Sequence, residues 1–184
     1  MDIPQHTLNS SPSDSKKVYT FKNPYPQHFS IVYDIIEYMI KNPSSGKVWK
    51  KLIKTCKFFY FKNPVLPVGA LDVICDMKCR ADGECFDTTL SFPNLWIFDS
   101  LKANNDSVQT IIYDCVQLIV PKILKFELRI LNVKAQELTW SDYQKLTSSG
   151  TIKEINLRDC RICNSEGRIE KLFENLPNLE VIEL

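Results

Sequence analysis

Ile152-Lys153-Glu154-Ile155-Asn156-Leu157-Arg158-Asp159-Cys160-Arg161-Ile162 places apolar residues at relative positions 1, 4, 6, 9 and 11. The same spacing fits Ile123, Phe126, Leu128, Leu131 and Val133. It fits again at Leu176, Leu179, Val181 and Leu184, and more loosely at Phe92, Leu95, Ile97 and Leu101. Successive starts lie 31, 29 and 24 residues apart. A spacing that recurs with a period of 20–50 residues is the signature of a stacked solenoid. Each unit is too thin to bury its own apolar face, so its neighbours supply the core. Helical stretches separate the strand templates: Val108 to Ile119, Trp140 to Leu146 behind a Thr139–Asp142 capping box, and Glu166 to Asn175. The fold class expected is α/β.

On a solenoid strand the template residues point inward and the residues between them face out. Template position 5 gives Trp96, Glu127, Asn156 and Glu180; position 7 gives Phe98, Arg129, Arg158 and Ile182. These eight are the candidate contacts for a bound protein. Trp96 and Phe98 lead, because large rings dominate interface energetics. The plainer reading, ordinary solvated strand residues, stays open for each.

Upstream, residues 29–40 are apolar except at Ser30, Asp34 and Glu37, with Lys41 next. On a helix those polar positions share one narrow arc, which leaves far more apolar surface than a small monomer buries. The surplus either packs on the repeat region or meets a partner. Asn42-Pro43 ends this helix. A second helix is expected over Lys47 to Phe61, with Val48, Trp49, Leu52, Ile53, Cys56, Phe59 and Tyr60 on one face and Lys47, Lys50, Lys51, Lys54 and Lys57 on the other. Phe58 and Phe61 project from the lysine side, a mixture suited to an acidic partner with an apolar pocket. A solvated face is the alternative. A boundary falls near residues 64–70, a strand is expected within 65–76, and Asp82-Gly83 reads as a turn. Residues 1–20, rich in Ser, Pro and Asp, read as a disordered tail.

The remaining inventory narrows the function. The 184 residues hold 23 basic and 22 acidic side chains, a net charge of +1, which argues against nucleic-acid binding by the molecule as a whole. No apolar run is long enough for a bilayer and no secretory core opens the chain, so a cytoplasmic or nuclear protein without membrane contact is expected. Seven cysteines then read as reduced thiols. Cys75, Cys79 and Cys85 lie far from Cys160 and Cys163, and the two histidines, His6 and His28, are near neither group. The sequence therefore predicts no metal and no cofactor. It shows no phosphate loop, nucleophile elbow or paired carboxylates, and predicts no catalytic residue.

Two segments together resemble a known family. Tyr33-Asp34-Ile35-Ile36-Glu37-Tyr38-Met39 resembles the first-helix motif of an F-box. Thr55-Cys56-Lys57-Phe58-Phe59-Tyr60 is similar to its later Val-Cys-Lys-x-aromatic stretch, with Trp49 and Leu52 at the apolar positions between. Tyr25-Pro26 stands two residues upstream of the usual Leu-Pro, and Thr55 replaces the usual valine. With the repeats behind it, the chain resembles the divergent F-box proteins of nematodes. The resemblance implies an F-box-like helical module over 21–64 and a short leucine-rich-repeat-like α/β solenoid over 65–184. It implies a non-catalytic substrate receptor of a cullin–RING ubiquitin ligase. Pro26, Ile35, Ile36, Tyr38, Met39, Lys57, Phe58 and Phe61 would meet a Skp-type adaptor, and the repeats would hold a protein substrate. The alternative is a protein-binding scaffold of the same build without adaptor binding.

Overall fold

A computed structural model describes residues 31–74, 78–87, 94–104, 115–163 and 169–184. The chain is a mixed α/β protein with an eight-stranded sheet and, among the described residues, five α-helices. The helices are α1 (Tyr33–Lys41), α2 (Gly46–Thr55), α3 (Lys57–Lys62), α4 (Cys115–Ile119) and α5 (Trp140–Thr147). The strands are β1 (Val65–Ile74), β2 (Lys78–Ala81), β3 (Glu84–Asp87), β4 (Asn94–Asn104), β5 (Ile123–Phe126), β6 (Ile130–Lys134), β7 (Glu137–Thr139), β8 (Glu154–Arg158), β9 (Arg161–Cys163) and β10 (Val181–Glu183). The main sheet runs β10-β8-β6-β4-β1-β2-β3, with β5 beside β4; β7 and β9 form a separate pair.

Five strands of the main path are parallel, and they share one register. Leu71, Leu101, Leu131, Ile155 and Ile182 stand side by side on β1, β4, β6, β8 and β10. Val73, Ala103, Val133 and Leu157 form the next row. Apart from the half-exposed Ile182 at the end of the sheet, these rows are buried together with Leu95, Ile97, Val116, Ile119, Leu138 and Leu146 and make the larger core, between the sheet and helices α4 and α5. The strand spacing therefore differs from the one expected. The template started at Ile123 would set Phe126 beside Ile155, but Leu131 stands there. The unit that packs starts at Leu128 and runs Leu131, Val133, Gln136, Leu138, five residues later. The Ile123 phase is apolar throughout and the Leu128 phase everywhere but Gln136; Leu128 is fully buried, while Phe126 is half-exposed on β5, which pairs only with β4 among the described residues. At the other end Ile182, not Leu179, meets the row.

The units also share a corner. Ala135 and Asp159, equivalent in register, both adopt left-handed backbone, with φ of 52° and 53°. Each turns a strand of the main sheet (β6, β8) into a strand of the small one (β7, β9). The Ala135 N–H donates to the Arg158 carbonyl at 2.9 Å, and the Arg161 N–H to the Gln136 carbonyl at 3.0 Å. The first strands depart from this scheme: β1 leads into an antiparallel β2–β3 hairpin that turns at Asp82-Gly83, as the sequence predicts. β4 carries a register shift opposite Val68–Ala70.

Helices α1 to α3 cover the opposite face, over β1 and β4. Alternation along β4 sends Leu95 and Ile97 to the larger core and Trp96 to a smaller one with Ile36, Trp49, Phe59 and Val65. Trp49 is fully buried, and its indole Nε1–H donates to the Val65 carbonyl at 3.0 Å. The helix expected over 47–61 is two helices. Cys56, at φ −148° and ψ 119°, is extended, and it caps α2 while opening α3. Phe59 packs inward against Trp49, edge to face, with ring centres 6.2 Å apart. α5 starts as expected: the Thr139 hydroxyl accepts the Asp142 N–H at 3.1 Å. The helix expected over 166–175 is a 3-10 turn at Ile169–Phe173 among the described residues. Of the helix expected from Val108, only Cys115–Ile119 lies in the described residues, as does none of the tail 1–20.

Candidate functional site

The helical segment presents a surface of unusual chemistry. Residues 31–64 carry seven lysines against Asp34 and Glu37, a charge of +5 on a chain whose total is +1. In α1 only Ile36 is buried. Tyr33, Ile35 and Tyr38 are 60%, 52% and 67% exposed, and Ile31 and Val32 extend the apolar strip. On α2 Lys47, Lys51 and Lys54 stand in solvent with no ion pair among the described residues. Lys50 is engaged: its ammonium donates to Asp82 Oδ2 at 2.6 Å and lies 5.7 Å from the centre of the Phe98 ring. On α3 Phe61 is exposed, and Lys62 lies 6.0 Å from its ring and 5.7 Å from that of Phe58.

Of the residues expected to meet an adaptor, Ile35, Tyr38, Lys57 and Phe61 are exposed on this surface. Met39 and Phe58 are half-buried. Ile36 is not available: it is 2% exposed and packs on Trp49, Phe59 and Trp96. Pro26 lies outside the described residues. Val48, expected on the buried face of α2, is exposed, so it joins the surface that the sequence reading missed.

The sheet face divides in two. Trp96, Phe98 and Glu127, expected to meet a bound protein, are the seat of the helices instead. Trp96 is 2% exposed, with the Lys125 ammonium 3.9 Å from its ring centre. Phe98 is half-buried directly under Gly46, where a Cβ would approach to 2.6 Å. Glu127 Oε2 accepts the Gly46 N–H at 3.0 Å, which sets a carboxylate at the positive end of α2. Arg129 faces Asp99 at 3.6 Å. These four came from templates whose phase the sheet does not use, so their side chains do not continue the line of Asn156 and Arg158.

Beyond the helices the outer face is open. Asp72, Lys102, Asn132, Asn156 and Glu183 form one row across it, and Asn104, Lys134 and Arg158 form the next. Asn156 and Arg158 are where the sequence put them. Both donate to Glu183 Oε2, Arg158 at 2.7 Å. Glu180 is exposed and bonded to Lys153. Ile182 belongs to the inner row, opposite to expectation, and is 41% exposed. Asp72, Lys102, Asn132, Lys134 and Glu183 escaped the sequence reading. Starting the template at Leu128, 24 residues before Ile152, would have found Asn132 and Lys134.

No family model, characterised protein or solved structure matches this chain. What the surfaces can do therefore rests on their chemistry. Cys79 pairs with Phe86 and Cys85 with Arg80 across β2–β3, so the two thiols leave opposite faces of the hairpin and share no ligand position. Cys160 sits at the β8–β9 corner, its thiol 3.2 Å from the Val133 carbonyl. Burial pushes its pKa up, against the N–H groups of Gln136 and Ala135, which keeps it a thiol. Among the described residues no three His, Cys, Asp or Glu side chains converge as a metal site would require, and no helix is long and apolar enough to cross a membrane.

Proposed function

We propose that this chain is a non-catalytic protein-interaction adaptor, an F-box-type substrate receptor of a cullin–RING ubiquitin ligase. In this reading α1 to α3 dock a Skp-type adaptor, and the open rows of the sheet hold the recruited protein. The parallel rows and the two equivalent corners are read as turns of a short leucine-rich-repeat-like array, and the protein works in the cytoplasm or nucleus. One observation carries the proposal: α1 leaves Tyr33, Ile35 and Tyr38 uncovered beside a helix with three lysines that make no ion pair among the described residues. Exposed tyrosines and aliphatics next to unpaired cations suit an acidic partner with apolar pockets.

The test is capture of a Skp-type adaptor by the purified chain. Ile35→Glu and Tyr38→Glu alter exposed positions, so both variants should stay folded and lose at least about tenfold in affinity, the equivalent of roughly 1.4 kcal/mol. Ile36→Glu is the wrong probe, because it would put a charge into the smaller core. Undiminished capture by both surface variants would refute the docking face. Absence of capture by the folded parent would leave the scaffold reading, which the inward turn of Ile36 and the half-burial of Phe58 favour.

A further inference from the structure

A second surface lies on the helix side of the sheet, away from both faces described above. β5 pairs with β4 along one edge, and among the described residues no strand runs along its other edge. The backbone there meets a groove of about 470 Å³ between β5 and α5. Ile123, Leu124 and Phe126 line its β5 side, and Gln144, Lys145 and Ser148 line its α5 side. Leu124 is 65% exposed, an aliphatic side chain with no cover in the middle of a strand. Lys145 is exposed and has no ion pair among the described residues.

Three features coincide in one place: a strand edge without a strand partner among the described residues, an apolar floor whose Leu124 is uncovered, and a cation on the rim. Strand addition draws affinity from main-chain hydrogen bonds and selectivity from pockets for alternate side chains. The apolar floor selects an aliphatic side chain. The lysine selects a carboxylate, and a cationic segment would meet like charge. We propose that this groove binds an extended acidic–aliphatic peptide segment of another protein, laid along β5 as an added strand. The proposal stands apart from adaptor docking, since it uses no residue of α1 to α3.

The test titrates the full-length, ¹⁵N-labelled chain with a blocked hexapeptide alternating glutamate and valine. Its counterpart alternating lysine and valine serves as the second probe. Expected are amide shifts concentrated at residues 123–126 and 144–148 with the glutamate peptide and none with the lysine peptide. Lys145→Glu and Leu124→Lys, both at exposed positions, should each weaken binding by about tenfold or more. Lys51→Glu, on α2, should leave it unchanged. The proposal is overturned by shifts that centre on α2, by equal binding of both peptides, by affinity that survives Lys145→Glu and Leu124→Lys, or by no response at millimolar peptide.

Discussion

Asp82 ties the two halves of the molecule together from a single turn. Its Oδ1 accepts the N–H groups of Gly69 and Ala70 at 3.0 and 3.1 Å, and its Oδ2 takes the Lys50 ammonium of α2. Partial burial by itself would raise its pKa. The Lys50 hydrogen bond and charge and the two backbone donors outweigh that and hold it below the usual carboxylate range. A carboxyl more acidic folded than unfolded stabilises the fold above its unfolded pKa of about 4. That contribution disappears as pH falls from there through the folded value. Asp82→Asn should therefore cost about 1 kcal/mol in urea unfolding at pH 7, with the difference narrowing as pH falls below about 4; a constant gap would refute the linkage. Tyr143 marks the alkaline limit. Its hydroxyl donates to the Leu172 carbonyl at 2.7 Å, and burial pushes its pKa up to about 12. The folded phenol resists ionisation more than the unfolded one, so this stabilisation is complete below about pH 10 and fades above it. Tyr143→Phe should lower stability by about 1 kcal/mol at pH 7 and flatten the fall of stability with pH between 10 and 12.

At the scale of elements, the N-terminus of α2 decides how the helices sit. Ser45 caps it, its hydroxyl accepting the Val48 N–H at 3.3 Å, and Gly46 presses onto Phe98 while giving its N–H to Glu127. In an isolated helix alanine is favoured over glycine by roughly 1 kcal/mol. Here a Cβ would stand 2.6 Å from Phe98 Cβ, so the contact reverses that preference. Gly46→Ala should destabilise by about 1–3 kcal/mol. The same change in a Phe98→Ala background should be neutral or stabilising, and thermal unfolding of the four variants reads the coupling directly. The break at Cys56 belongs to the same scale. Periodicity over 47–61 continues unbroken, yet one extended residue separates α3 from α2; Phe59 is buried, on the side where the pattern puts it, and Phe58 is half-buried.

For the molecule as a whole, one sheet serves two cores. The larger lies under α4 and α5, the smaller under α1 to α3, and Trp49 with Trp96 fills most of the smaller one. Trp49 also closes a hydrogen bond to β1, so Trp49→Ala should cost about 3–5 kcal/mol in chemical denaturation and detach the helices from the sheet. The charge is divided as well, +5 on residues 31–64 against −4 on the remainder. Adaptor capture by the helical surface should therefore weaken markedly between low and high salt. Peptide binding at β5, with one lysine at its rim, should weaken far less.

Several parts of this architecture were legible in the chain itself. The recurring apolar spacing announced strands alternating with helices, a Thr-Asp pair announced the start of α5, Asp82-Gly83 a turn, and the lysine spacing the exposed side of α2. Local chemistry suffices for these, because a cap, a turn or a charged stripe involves residues close in sequence. The phase of the strands was not legible. The stretch 123–138 satisfies the template fully from Ile123 and, except at Gln136, again from Leu128, and only stacking against Ile155 and Leu157 selects the second. Nor was it legible that α1 to α3 cover the part of the face that holds Trp96, Phe98 and Glu127. Which of two closely similar settings is buried depends on the neighbouring strand and helix. Strand registers come from long-range packing, and only the assembled structure contains it.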